Sequence, residues 1–164
     1  MDLFEKWQNV FAAIAIVLVL VVAVVAVIAQ TPAPEWKSAK LSFDVGGITA
    51  DGDVDLNNTQ SVYTKKLTEC TGLHIIRDYD ADVTYTVFFF DADDNLVSSV
   101  TVEGRQYNVE RGKMPVSEDG RQAVGFRIAV VNNNSKEAFS QYEAYKMKGK
   151  FDVEITRLIE SEEK

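Results

Sequence analysis

Hydrophobic and polar positions follow two rhythms in this chain, and the change comes near residue 30. From Val10 to Ala29, twenty consecutive residues are all Val, Ala, Ile, Leu or Phe. At about 1.5 Å of rise per residue, a helix of that length reaches roughly 30 Å, the thickness of a bilayer's hydrocarbon core. A backbone away from water must satisfy its own hydrogen bonds, so the run predicts a single membrane-spanning helix despite its many β-branched valines. Trp7 before the run and Trp36 after it suit the headgroup level, where amphipathic rings are favoured. A cleaved signal peptide is the competing account, because Val27 and Ala29 precede Gln30 as small residues do at a cleavage site. Against it, the run exceeds the usual apolar core of about 7–15 residues in such peptides.

Beyond the run the period becomes two. Gln30 to Pro34 (QTPAP) has no apolar periodicity, and its prolines favour an extended chain, so residues 31–38 are expected to form a stalk. Ala39, Leu41, Phe43 and Val45 then alternate with Lys40, Ser42 and Asp44, as in a strand buried on one face, and Gly46-Gly47 ends it. The clearest strand is Val83 to Phe90. Val83, Tyr85, Val87 and Phe89 share one face, with Thr84, Thr86, Phe88 and Phe90 on the other. Its far end is apolar on both sides, which places it in the middle of a packed structure with Phe88 and Phe90 covered by a neighbouring element or loop.

Asp91 to Asn95 (DADDN) offers short side chains that hydrogen-bond their own backbone, and Leu96 to Val102 resumes the extended pattern, so this stretch reads as a hairpin. Further strands are expected at Ser61 to Lys66, Leu73 to Arg77, Gln106 to Glu110, Phe126 to Val131 and Phe151 to Leu158. Ser135 to Lys148 fits neither period cleanly and stays open between helix and loop. Many short strands with no alternating helices predict an all-β domain over 39–164, an antiparallel β-sandwich or jelly roll, behind the 1–30 segment that holds the tail and the transmembrane helix.

Charge and cysteine content narrow the partners. Setting aside the first 30 residues, which hold Asp2, Glu5 and Lys6, leaves 134 residues with 16 basic and 23 acidic side chains, a net charge of −7. That acidity argues against nucleic acid, whose phosphates require clustered Lys and Arg. One domain of this length buries well over half of its unfolded surface and needs no disulfide. Cys70 is the single cysteine and is read as a small buried hydrophobe rather than a reactive thiol.

Catalytic chemistry finds little material. Nucleophilic catalysis needs a base beside an activated nucleophile, and the one histidine, His74, lies in the apolar stretch Leu73 to Ile76, where a half-exposed structural imidazole is expected. One His and one Cys do not supply a zinc site of the usual N/S type. Asp51, Asp53 and Asp55 alternate in the spacing that opens a calcium loop, but Val62 occupies the position where the closing carboxylate belongs. Turn geometry alone accounts for such aspartates, so they stand as weak calcium candidates and no metal or cofactor is expected. Among the tyrosines, Tyr85 is expected inside. Tyr79 and Tyr107, near predicted turns, are the weak candidates for a ligand-stacking surface.

The stretch Gly72 to Val100, GLHIIRDYDADVTYTVFFFDADDNLVSSV, resembles the jelly-roll, carbohydrate-binding-module-like domains of surface and prophage-encoded proteins in Gram-positive bacteria. The shared pattern is an aromatic strand running into FFDADDNLVSS, followed by a proline-led segment, here Pro115 to Ala123, and the strand Phe126-Arg127-Ile128. The loop SEDGRQ is longer than the pattern. The resemblance implies a sandwich that binds glycans and carries over no ligand residue. The expectation is therefore a non-enzymatic cell-membrane protein, single-pass, with its carboxy-terminal domain outside the cytoplasm. Its partners would be the membrane and a glycan or surface protein, or other copies in a surface assembly. The flanking charges barely set the orientation, with Lys6 on one side and Lys37 and Lys40 on the other. The alternative is a pilin-like filament subunit whose apolar helix packs in a filament core, a layout that Glu5 near the amino terminus faintly suits.

Overall fold

The computed structural model describes residues 14, 16, 17, 19, 20, 35–78, 83–133 and 137–157. Two compact units divide the chain, Met1–Glu35 and Trp36–Lys164. In the first, Ile14, Ile16, Val17, Val19 and Leu20 are helical and exposed; the rest of the expected transmembrane run lies outside the described residues. No helix among the described residues is long and apolar enough to cross a membrane.

The second unit is built from antiparallel β-sheets. Its strands are β1 (Lys37–Ser38), β2 (Phe43–Val45), β3 (Gly47–Ile48), β4 (Val54–Asp55), β5 (Ser61–Thr64) and β6 (Thr68–Glu69). They continue with β7 (Gly72–Arg77), β8 (Val83–Phe90), β9 (Leu96–Val102), β10 (Gln106–Val109), β11 (Gly125–Asn132) and β12 (Phe151–Thr156). One sheet runs β1-β12-β7-β10, the other β2-β5-β11-β8-β9 with β6 also on β11, and β3 pairs with β4 as a small hairpin. A short helix, α1 (Gln141–Met147), precedes β12.

The period-two pattern becomes a sandwich because the apolar faces of the two sheets share one core. Leu73 and Ile75 of β7 and Val153 and Ile155 of β12 pack with Tyr85, Val87 and Phe89 of β8 and with Phe126, Ile128 and Val130 of β11. The rings of Tyr85 and Phe151 meet edge-on across the sheets at 5.4 Å. Cys70 is buried beside Met114, with its sulfur 3.9 Å from the Met114 sulfur, and burial pushes the thiol up to about 12. That is the environment of an inert packing residue.

The second apolar face of β8 is also covered. Phe88 and Phe90 join Tyr63 and Ala129 in a smaller outer cluster, closed by Ile48, Leu67 and Leu96. The β3–β4 hairpin supplies this lid. A Cβ on Gly52, whose φ is +93°, would stand 2.8 Å from Leu96 Cβ and 3.1 Å from Phe90 Cε1. Gly52→Ala is therefore expected to destabilise the sandwich by about 1–3 kcal/mol through left-handed strain and the clash. Hydrogen exchange should show faster opening across 47–55 than across β7 and β12; equal protection in both proteins would remove this account of the lid.

The hairpin expected at Asp91 to Asn95 is present. Asp91 Oδ1 accepts hydrogen bonds from the backbone N–H of Asp93 at 3.0 Å and of Asn95 at 2.9 Å, and Asp94 adopts a φ of 64°. The SEDGRQ loop is closed at its base. Val116 bridges Gln122, the Ser117 N–H donates to the Arg121 carbonyl at 2.9 Å, the Arg121 N–H donates to Ser117 Oγ at 3.0 Å, and Arg121 reaches back to Asp91 at 3.1 Å. The hydrogen bonds from Asn95 and the Arg121 guanidinium hold the Asp91 carboxyl below its ordinary value. A carboxyl depressed in the fold contributes stability that is complete above its unfolded value of about 3.9 and is lost as pH falls through the folded value. Asp91→Asn should thus melt below the parent at neutral pH, with the gap closing as pH drops below about 4; a gap independent of pH would contradict the charged role.

Several boundaries differ from the sequence pattern; β5, expected to reach Lys66, ends at Thr64. Lys37 and Ser38, expected in the stalk, form β1 against Ile155 and Glu154 of β12; a two-residue edge strand has too few positions to show a period. The strand expected from Ala39 to Val45 forms only over Phe43–Val45, because Ala39 to Ser42 carries the chain from one sheet to the other.

Candidate functional site

The crossing between sheets leaves a cleft at the sandwich edge. It has a volume of about 520 Å³ and lies between the 38–43 segment, the last turn of α1 and the start of β12. Its apolar surface comes from Leu41, Phe43, Phe151 and Val153. The Phe43 and Phe151 rings stack 5.5 Å apart at 28°, bridging the two sheets beneath the opening.

The helix that walls this cleft is fixed at its start, along its inner side and by charge. Ser140 caps it by accepting from the Glu143 N–H, while Glu143 accepts from the Ser140 N–H at 2.8 Å, a reciprocal capping box. Ala144 is buried, with Phe139 and Met147 packed against the core. Asp44 of β2 is held below its ordinary value by the Lys65 ammonium at 2.7 Å and by the side chain of Gln141, the first residue of α1. Seating Ala144 inward turns Tyr142 and Tyr145 outward, 64% and 62% exposed.

Each tyrosine carries a lysine. The Lys148 ammonium stands 3.7 Å from the centre of the Tyr145 ring and Lys146 stands 4.3 Å from that of Tyr142. Lys148 also holds the Tyr145 hydroxyl below its ordinary value. Tyr145, Lys148, Lys40, Ser38, Ser42 and Asp152 thus give the cleft an aromatic face, two cations, two hydroxyls and a carboxylate around an apolar floor. That set can stack on a ring, accept and donate hydrogen bonds, and pair with charge. The imidazole of His74 is not part of this lining; it lies 3.7 Å from Glu154 on another part of β7 and β12.

The residues singled out in the sequence do not converge on this cleft. Tyr79 lies outside the described residues. Tyr107 is half-buried on β10, its ring 6.2 Å from that of Phe89, and burial raises its hydroxyl above the ordinary value. Asp51 and Asp53 stand exposed on the β3–β4 turn, while Asp55 accepts from the Asn57 N–H at 3.0 Å. Among the described residues no three His, Cys, Asp or Glu side chains gather as a metal site. Tyr142, Tyr145 and Lys148 were missed as site residues because outward tyrosines blur the helical period. The signal that marks their helix is the capping pair Ser140 and Glu143 in SQYE. No family model, curated protein or solved structure matches this chain.

Proposed function

We propose that the chain is a membrane-anchored, non-enzymatic β-sandwich that presents a binding face outside the cytoplasm, with a glycan or a protein surface as its ligand. The observation that carries this reading is the uninterrupted apolar run from Val10 to Ala29, joined by a short segment to a separately compact sandwich. The edge cleft, with its exposed tyrosine, supports a binding role. The jelly-roll form of the fold is supported by the strand order. Two four-stranded sets, β1-β12-β7-β10 and β5-β11-β8-β9, exchange the chain between sheets at each step along these strands except the β8–β9 hairpin. The resemblance of Gly72 to Val100 to carbohydrate-binding-module-like domains is in accord with that form.

Extraction of cell membranes at alkaline pH tests the anchor. The full chain should stay with the lipid pellet, and a chain lacking residues 1–30 should not. Release of both would remove the anchored reading. Binding is tested by glycan arrays and partner capture with the full chain in nanodiscs. Tyr145→Ala should abolish the signal, and a signal that ignores this substitution would place the ligand elsewhere.

A further inference from the structure

We infer that the edge cleft takes an anionic glycan, a sugar chain bearing carboxylate or phosphate groups. This inference rests on the reading of the cleft as a binding face and adds the charge class of its ligand. The argument begins with the distribution of charge. In a chain of net charge −8, the charged residues that line the cleft are Lys40 and Lys148 against Asp152, a net +1. The cleft is therefore a locally positive place on a negative protein, which favours an anionic ligand there.

The lining then favours a sugar chain over other anions. The Lys148 ammonium lies over one face of the Tyr145 ring, so a ligand unit whose acid group meets the ammonium is brought against the edge of that ring. Lys40 offers a second cation across the cleft, and Ser38, Ser42 and Asp152 offer partners for hydroxyl groups. An acidic peptide brings few hydroxyls for those groups, and a bilayer surface does not enter a concave cleft of this volume.

The test uses the full chain in zwitterionic nanodiscs, with hexagalacturonate and its fully methyl-esterified form as probes of equal length and different charge. Hexagalacturonate should bind at least tenfold more tightly than the ester. Lys148→Glu and Tyr145→Ala should each weaken it at least tenfold, while Lys113→Glu on the turn after β10 should leave it unchanged. All variants should keep the parent melting temperature. Equal binding of both oligomers, lost in Tyr145→Ala, would keep the binding cleft and overturn the anionic class. Binding of poly-aspartate as tight as that of hexagalacturonate, or binding only when anionic lipid replaces the zwitterionic lipid, would overturn the glycan. Binding of neither oligomer would overturn the inference together with the reading of the cleft.

Discussion

Phe89→Ala is expected to cost about 3–5 kcal/mol of stability, the range for deleting a buried aromatic ring. Phe89 is fully buried on the inner face of β8, the strand with neighbours on both sides in its sheet. Its ring lies against Tyr107 of the opposite sheet, so truncation opens a cavity bounded by both sheets. Close-packed β-branched neighbours such as Val87 and Ile128 have few rotamers with which to refill it. Urea unfolding followed by tryptophan fluorescence and by circular dichroism measures the effect. A midpoint shift worth under about 1 kcal/mol would mean that this part of the core collapses freely or is packed otherwise.

Arg77→Met is expected to be nearly as damaging, at about 2–4 kcal/mol. By the strand period Arg77 falls on the same face as Leu73 and Ile75, and the structure buries it there, only 5% exposed. Its Nε donates to the Gly104 carbonyl at 3.3 Å and its Nη1 to the Val83 carbonyl at 2.6 Å, while the guanidinium lies 4.8 Å from the centre of the Tyr85 ring. One side chain thereby ties the end of β7 to the start of β8 and to the β9–β10 turn. Methionine keeps the apolar stem but leaves the two carbonyls without these donors. Lysine should recover only part of the loss, because an ammonium does not reproduce the planar fork. Thermal melts of the parent, Arg77→Met and Arg77→Lys rank the three; indistinguishable melts would show that the clamp carries no stability.

How far the fold was legible follows from how each element is specified. Strands β8, β9 and β11 announce themselves because alternation and β-branched or aromatic content persist over seven or eight residues. The doubly apolar end of β8 also foretold a cover over Phe88 and Phe90, which the β3–β4 hairpin supplies. Nothing in the pattern near Gly47 marks that hairpin as the lid, since its strands are two residues each. The candidate site was less legible still. Clefts arise where the chain leaves regular structure, and residues 39–42 are read as strand from their alternation although they cross between sheets. Tyr145 and Lys148 meet Lys40 and Phe43 only through tertiary packing of segments a hundred residues apart. Arg77 shows the same limit from the other side: its place on the core face is visible in the period, but the carbonyls that satisfy it are not.

Everything functional depends on a folded sandwich being held at a membrane and facing outward. Protease added to intact cells that make the chain with a carboxy-terminal tag tests this most directly. The account predicts that the tagged sandwich is degraded from outside while its membrane-bound fraction resists alkaline extraction. A tag that survives until the cells are opened, or a mature chain recovered free in the medium without residues 1–30, would contradict it.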